Sequence, residues 1–377
     1  MKIVFTGGGT GGHFYPIIAV AEQVHKELGK QKILGTKLYY FSTSPYDKNA
    51  LFDNQMDFVY IPAGKLRTYF SIQNFFDLFK TFFGCIVALI QLFRVYPDVV
   101  FGKGGYASFP TLIAAIILRI PIVLHESDAA PGRVNSLISR YAVRIALSYP
   151  DAVDYFKNKE ALAYTGQPVR EGLIVPEREG AYEYLKLNPN LKTAVIIGGS
   201  QGSEIINNAL IDALPELLTK YQVLHQTGSR NFDEVVERTT VLLENNPNKD
   251  RYRPMPFFNL ITMRYVGGIG DVVVTRAGST LFEISLWGVP AIVIPFTVSN
   301  NDHAKKNAFA YARAGGGIVV EENNLTASII TSQIGKILDD TQHREHMSTQ
   351  AKLFARKDAA IKIAEVLVAL ALSHETE

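Results

Sequence analysis

A chain of 377 residues is too long for one ordinary hydrophobic core and suits two domains of common size. With 47% hydrophobic and 20% charged residues it has a globular composition, and its single cysteine, Cys85, excludes a disulfide framework and a thiolate-rich metal site, which suits a reducing cytoplasm. The net charge is only +2, but residues 1–165 carry 17 Lys and Arg against 12 Asp and Glu, while 166–377 carry 21 against 24. The first half thus leans towards anionic partners yet lacks the dense basic patch of a nucleic-acid binder, so no nucleic acid is expected.

In chain order, short apolar runs alternate with amphipathic stretches, the pattern of parallel sheets covered by helices. KIVFTG comes first, with no signal-peptide pattern before it, and runs directly into Gly7-Gly8-Gly9-Thr10-Gly11-Gly12-His13. KLYYFST, FVYIPA, DVVFGKG, PIVLHES and RIALSYP follow as strands. Between the third and fourth, Phe75, Phe76, Phe79, Phe82, Phe83, Ile86, Leu89, Ile90 and Phe93 recur at helical spacing. Asp77, Lys80 and Gly84 interrupt that segment, so a spanning helix is not expected. Two readings stay open: a helix buried against the sheet, or an aromatic face dipping into lipid with Lys65, Arg67, Lys80 and Arg94 near anionic headgroups.

The stretch EGLIVPEREGAYEYLKLNPN is polar and broken by proline, and reads as an inter-domain connection over roughly residues 168–191. Beyond it TAVIIGG, YQVLHQTG, DVVVTRAG, PAIVIPF and GIVVEE predict a second sheet, which again opens with a strand running into glycines. AAIKIAEVLVALAL is a final apolar-periodic helix. Ligands of open parallel sheets sit outside the carboxyl ends of the strands, so each glycine loop marks a binding edge.

Gly7, Gly9 and Gly12 fit G-x-G-x-x-G after a strand, but a dinucleotide loop also needs an acid near the end of the second strand, and here stands Phe41-Ser42-Thr43-Ser44. A Walker A loop fails as well, because His13 stands where its lysine belongs. Helix-start amides still favour an anion, and a histidine beside them is placed to take a proton from a hydroxyl, unless it merely caps the helix. In the second half Gly198-Gly199-Ser200-Gln201-Gly202 fits either a phosphate cradle or the nucleophile elbow of a serine hydrolase, with Asp271 and His303 as partners. HExxH, cysteine pairs and Asp-x-Asp are absent from the sequence, so no metal and no cofactor are expected, and a leaving diphosphate falls to helix N-termini and cations such as Arg170.

Taken together, GGGTGGHFYP, KGGYASFP, HESDAAPGRVN, TGQPVR, GGSQGS, TRAGSTLFEISLWGVPAIVIPF and NDHAKKNA, in this order from residue 3 to about 320, closely resemble the MurG family of membrane-associated N-acetylglucosaminyltransferases of peptidoglycan synthesis. The resemblance implies an α/β chain of GT-B type, two Rossmann-like doubly wound parallel-sheet domains facing a cleft. Residues 1–167 would form the acceptor and membrane-facing domain, and 168–354 the UDP-sugar donor domain. The helix over about 355–377 would pack back on the first. It implies inverting, metal-independent transfer of GlcNAc from UDP-GlcNAc to the 4-OH of undecaprenyl-pyrophosphoryl-MurNAc-pentapeptide, by a peripheral enzyme on the cytoplasmic face of the cell membrane.

By the same resemblance the donor site comprises Arg170, Ser200, Gln201, Leu260, Ser279, Thr280, Glu283, Asp128, His303 and Asn307, with Glu283 on the ribose and the backbone near Leu260 on the uracil. Thr10, Gly11, Gly12, His13, Gly104, Gly105, Tyr106, His125 and Glu126 line the acceptor, and His13 is the base. The family's His-Glu-Gln-Asn is His125-Glu126-Ser127-Asp128 here and its His-Gln is His303-Ala304. The departures therefore gather around the sugar rather than the UDP.

Overall fold

Strands buried on both faces need near-continuous apolar sequence, and both halves supply it. The computed structural model describes residues 1–65, 73–199, 202–297 and 302–373, and builds two units, Met1–Glu171 with Arg356–Glu377, and Gly172–Ala355. In the first unit β1 (Lys2–Thr6), β2 (Lys37–Ser42), β3 (Met56–Tyr60), β4 (Val99–Gly102), β5 (Ile122–Glu126), β6 (Arg144–Leu147) and β7 (Leu162–Tyr164) run in the order β3-β2-β1-β4-β5-β6-β7. All pairings are parallel, with Phe5 level with Tyr40 on one side and Phe101 on the other. Strand order reverses between β1 and β4, which opens a crevice at their carboxyl ends.

Phe14, Ile17, Ile18, Ala21, Val24 and Leu28 give the helix Gly11–Gln31 one buried face. Ile363, Leu367 and Val368 of the helix Ala359–Ser373 share a core cluster with Val20, Ala21 and Val24. Burial of such side chains stabilises by roughly 1.5–3 kcal/mol each, so the end of the chain is a structural part of the first unit.

The aromatic segment forms the helix Gln73–Val95, and its burial decides between the two readings. Only Gly84, Ala88 and Leu92 are buried, whereas Phe75, Phe76, Phe79, Phe82, Phe83 and Phe93 are 50–69% exposed. The core-helix reading is therefore set aside. A Cβ on Gly84 would stand 1.8 Å from Pro62 O, so glycine is what lets this helix lie so close. Despite its interruptions, the helix is long and apolar enough by length and composition to cross a membrane. Arg67 lies outside the described residues, while Lys65, Lys80 and Arg94 are exposed.

In the second unit β8 (Thr193–Ile197), β9 (Gln222–Gln226), β10 (Tyr252–Met255), β11 (Val272–Thr275), β12 (Ala291–Val293) and β13 (Gly317–Val319) run β10-β9-β8-β11-β12-β13, again all parallel. The first six strands of each unit thus share one strand order. Two strands went unread in the sequence, and both are sheet edges: β7 has only three residues, and β10 carries Pro254, which an edge tolerates. The polar stretch after Arg170 is not bare linker. It forms the short helices Glu171–Ile174 and Ala181–Leu185, and Leu173 O accepts from Trp287 Nε1 at 2.7 Å.

Leu367 is fully buried and Ile361 is 37% exposed on the same helix. Leu367→Ala is expected to destabilise the first unit by about 2–5 kcal/mol, read from its urea transition, and Ile361→Ala by less than about 1 kcal/mol.

Candidate active site

The first glycine loop leaves β1 at the strand reversal and turns into a helix within four residues. Gly8 (φ +123°) and Gly9 (φ +91°) take left-handed backbone, and a Cβ on Gly8 would meet Ser42 Oγ and Tyr40 OH at 2.7 Å. Those two hydroxyls donate to Gly7 O at 2.6 and 3.1 Å. Ser42, at the place where a dinucleotide loop needs an acid, is thus a brace for the glycine loop. Helix geometry leaves the first-turn amides of Gly11 and Gly12 without intrahelical acceptors, and the helix dipole adds partial positive charge there.

His13 follows these amides and is half-buried. Thr10 does not cap the helix with its side chain; its Oγ1 pairs instead with His13 Nδ1 at 2.9 Å. With Nδ1–H donating to that hydroxyl, Nε2 keeps a lone pair. A Cβ on Gly105 would lie 3.7 Å from Nε2, so the ring edge faces the second glycine loop. That loop repeats the device: Gly104 (φ +81°) and Gly105 (φ +79°) pass Asn135 and Gly8 O at distances that would be 2.9 and 3.3 Å from a Cβ. Tyr106 lies against Gly9.

His125 and Glu126 end β5 behind these loops, 0% and 3% exposed. Ser148 Oγ donates to Gln167 Oε1 at 2.8 Å and so accepts from His125 Nε2 at 3.1 Å, a proton shared with Gly166 O at 3.2 Å. The remaining Nδ1 is buried without a partner, the signature of a neutral ring. Burial and the Lys103 charge indeed hold His125 well below the ordinary histidine range. Glu126 accepts from Asp128 N at 3.0 Å, Gly132 N at 3.1 Å and Asn135 Nδ2 at 2.9 Å. Burial first, then the neighbouring Asp128 charge, push it up to about 7 against these donors. The expectation that His125 and Glu126 line the acceptor meets a different geometry: both are buried, Glu126 holds the loop Ser127-Asp128 through the Asp128 amide, and His125 turns to Ser148 and Gly166.

Burial, with Lys103 second and Asp128 opposing, lowers His13 to about 4. Burial and the Lys103 charge thus both favour the unprotonated imidazole at neutral pH. Arg170 belongs to the first unit, its guanidinium 3.9 Å over the Tyr15 ring, with Nε buried and unpartnered.

In the second unit Ser200 and Gln201 lie outside the described residues, but their frame is clear. Gly202 (φ +78°) passes so close to Thr227 O that a Cβ would lie 2.2 Å from it, and Ser203 caps the helix Glu204–Lys220. Arg276 Nη2 donates to Ser203 Oγ at 2.6 Å and to Glu322 Oε1 at 2.5 Å, and Glu322 Oε2 accepts from Thr297 N at 2.9 Å. Arg276 was visible in TRAGS without a role; Glu322 is 46 residues away and gave no local signal. Ser279 and Thr280 begin the helix Thr280–Trp287, with half-buried Glu283 in its first turn. Leu260, 40% exposed, starts the helix Leu260–Ile269, and His303 starts His303–Arg313. Asn307 is buried and donates to Ala277 O at 3.2 Å, so it supports the loop after β11.

The serine hydrolase reading fails on topology. Asp271 precedes β11, where it accepts from Thr193 N at 2.8 Å and pairs with Arg344 at 3.2 Å, while His303 follows β12. The two stand at opposite ends of one parallel sheet.

Residues 3–147 match the glycosyltransferase family 28 N-terminal domain and 193–363 its C-terminal domain. The chain is 34% identical over 358 residues to the UDP-N-acetylglucosamine–N-acetylmuramyl-(pentapeptide) pyrophosphoryl-undecaprenol N-acetylglucosamine transferase of Halothermothrix orenii, covering 93% of this chain and 94% of that one. It is 34% identical over 368 residues to the transferase of the same name from Caldanaerobacter subterraneus, covering 97% and 99%. The crystal structure of Acinetobacter baumannii MurG superposes with a TM-score of 0.72 at 22% identity, covering 98% of this chain and 99% of that one, a likeness of fold. Two parallel sheets of one strand order, each with a glycine loop at its reversal, are what that architecture requires, and the chain belongs to glycosyltransferase family 28 and, within it, to the MurG family.

Proposed function

We propose that the protein transfers GlcNAc from UDP-GlcNAc to O4 of undecaprenyl-pyrophosphoryl-MurNAc-pentapeptide, with inversion and without a metal ion. The acceptor pyrophosphate is held by the amides of Gly11 and Gly12, and by the second loop at Gly104, Gly105 and Tyr106. The UDP is held by the second unit, through the loop at Ser200 and Gln201, the ribose carboxylate Glu283 and the backbone at Leu260. Ser279, Thr280 and His303 complete the donor site, Asn307 supports it from below, and Asp128 accepts from sugar hydroxyls. Arg170 adds positive charge to the phosphates.

One observation supports this reading: His13, joined through Nδ1 to Thr10 Oγ1, turns its Nε2 edge to the second glycine loop beside a helix start whose first amides lack intrahelical acceptors. In a single displacement the acceptor O4 attacks the anomeric carbon, its proton passes to Nε2, and the bond to UDP breaks with the electron pair leaving on the phosphate. Helix-start amides of the second unit stabilise that charge. A ring near 4 is a weak base in the free protein, but the negative pyrophosphate bound beside it raises its basicity when the acceptor is in place.

His13→Ala is expected to lower kcat by roughly 10²–10⁴-fold with little change in KM for UDP-GlcNAc. The free-enzyme base must be unprotonated, so the limb of kcat/KM that belongs to His13 falls as pH drops through about 4, apart from any change near 7 where Glu126 takes up its proton. Stopped-time assays of UDP release dependent on a short-chain lipid I analogue read both, and a fall centred near the ordinary value of about 6.5 that persists in Glu126→Gln would contradict the assignment.

We also propose that the enzyme is peripheral, seated on the cytoplasmic membrane face by the helix Gln73–Val95. Its exposed phenylalanines support this, with exposed Lys65, Lys80 and Arg94 in the same region of chain. Phe79, Phe82 and Phe83 are 50–62% exposed, so their joint replacement by serine is expected to leave the far-UV circular dichroism and the urea transition unchanged. Co-sedimentation with phosphatidylglycerol vesicles is lost. Retained binding would contradict this seat.

A further inference from the structure

Lys103 follows the last residue of β4 and is 1% exposed, an unusual position for a lysine. The fold fixes it tightly. Its N–H donates to Thr6 O at 2.9 Å, continuing the sheet past β4, and its stem runs against Gly7, where a Cβ would stand 2.9 Å from Lys103 Cβ. The ammonium donates to Ser127 Oγ. One hydroxyl cannot balance a buried charge, and the acids that face it are Glu126 and Asp128.

The same ammonium acts on both imidazoles, His13 and His125. The charged and titratable groups facing His13 are thus Lys103 from the loop after β4, and His125 and Asp128 from the end of β5 and the loop beyond it, with Glu126 behind Asp128. From its own helix start comes only the neutral hydroxyl of Thr10. An aspartate alone beside His13 would favour imidazolium and work against the burial that keeps Nε2 free. A cation on the other side cancels that pull.

We propose that Lys103, held at Ser127 between Glu126 and Asp128, is a positioning residue of the transfer: it offsets the Asp128 carboxylate within the loop cluster and extends to lower pH the range in which Nε2 of His13 is free to meet the acceptor. The inference rests on His13 as base and adds a reason why Ser127 and Asp128 stand where they do. Ser127 receives the ammonium, and Asp128 is the charge it answers. Lys103 touches no substrate in this account.

The test is the titration of the His13 ring in the full-length protein, followed by NMR of histidine labelled in the ring and assigned by loss of its signal in His13→Gln. In the parent protein the ring stays neutral from pH 8 to below 5. Lys103→Met is expected to raise the His13 midpoint by about one to two pH units, and adding Asp128→Asn to bring it back. The acid limb of kcat/KM moves with the midpoint in each variant. An unmoved midpoint in a folded Lys103→Met protein overturns the proposal, as does a raised midpoint that Asp128→Asn leaves in place. Should the methionine variant fail to fold, Lys103→Gln keeps a donor for Ser127 without the charge and carries the same expectations. The titration uses no substrate, so it judges Lys103 even if no UDP-sugar is turned over, an outcome that would instead count against the transferase reading.

Discussion

The close approach of two glycine loops at the parting of β1 and β4 is the constraint on which the first unit's chemistry depends. A Cβ on Gly9 would stand 3.0 Å from the Tyr106 ring and one on Gly105 3.3 Å from Gly8 O, tight contacts on left-handed backbone that disfavours any side chain. That closeness makes bare amides, a helix start and one imidazole face the same small space. The sheet order creates the crevice; the glycines leave it open for a ligand's phosphate. The second unit adds an ion pair to its own close glycine at Gly202: Ser203, which caps the next helix, accepts from Arg276, itself 7% exposed and paired with Glu322.

Much of the architecture was legible because parallel strands are written as apolar runs ending in glycine. β1, β4 and β8 are of this kind, and the loops that follow them carry the site. β7 and β10 were illegible for the opposite reason: edge strands bury less, tolerate proline and need only a few residues. The aromatic helix showed a limit of periodicity. Its spacing announced a helix equally well for a core or a membrane seat, and only the exposure of Phe79, Phe82 and Phe83 separated the two.

Site residues divide in the same way. His13 and the glycines stood out as residue types at a strand-to-helix turn. The roles of His125 and Glu126 did not, since a strand-end His-Glu reads alike whether it meets a ligand or, as here, turns inward to Ser148, Gly166, Asn135 and Gly132. Lys103 was quoted within a motif and passed over, because burial of a lysine is a property of packing. Electrostatics then links what the sequence kept apart: a cation on one loop, acids on another and an imidazole on a third.

The central claim is that this chain forms a β-1,4 bond from UDP-GlcNAc to a lipid-linked muramyl acceptor. Its most direct test offers the full-length protein a short-chain lipid I analogue with an equimolar panel of UDP-sugars in EDTA, then reads the product by mass and the new linkage by proton NMR. The account predicts a single N-acetylhexosamine added as β-1,4-linked GlcNAc. Addition of a different sugar, an α linkage, or a requirement for metal would contradict it.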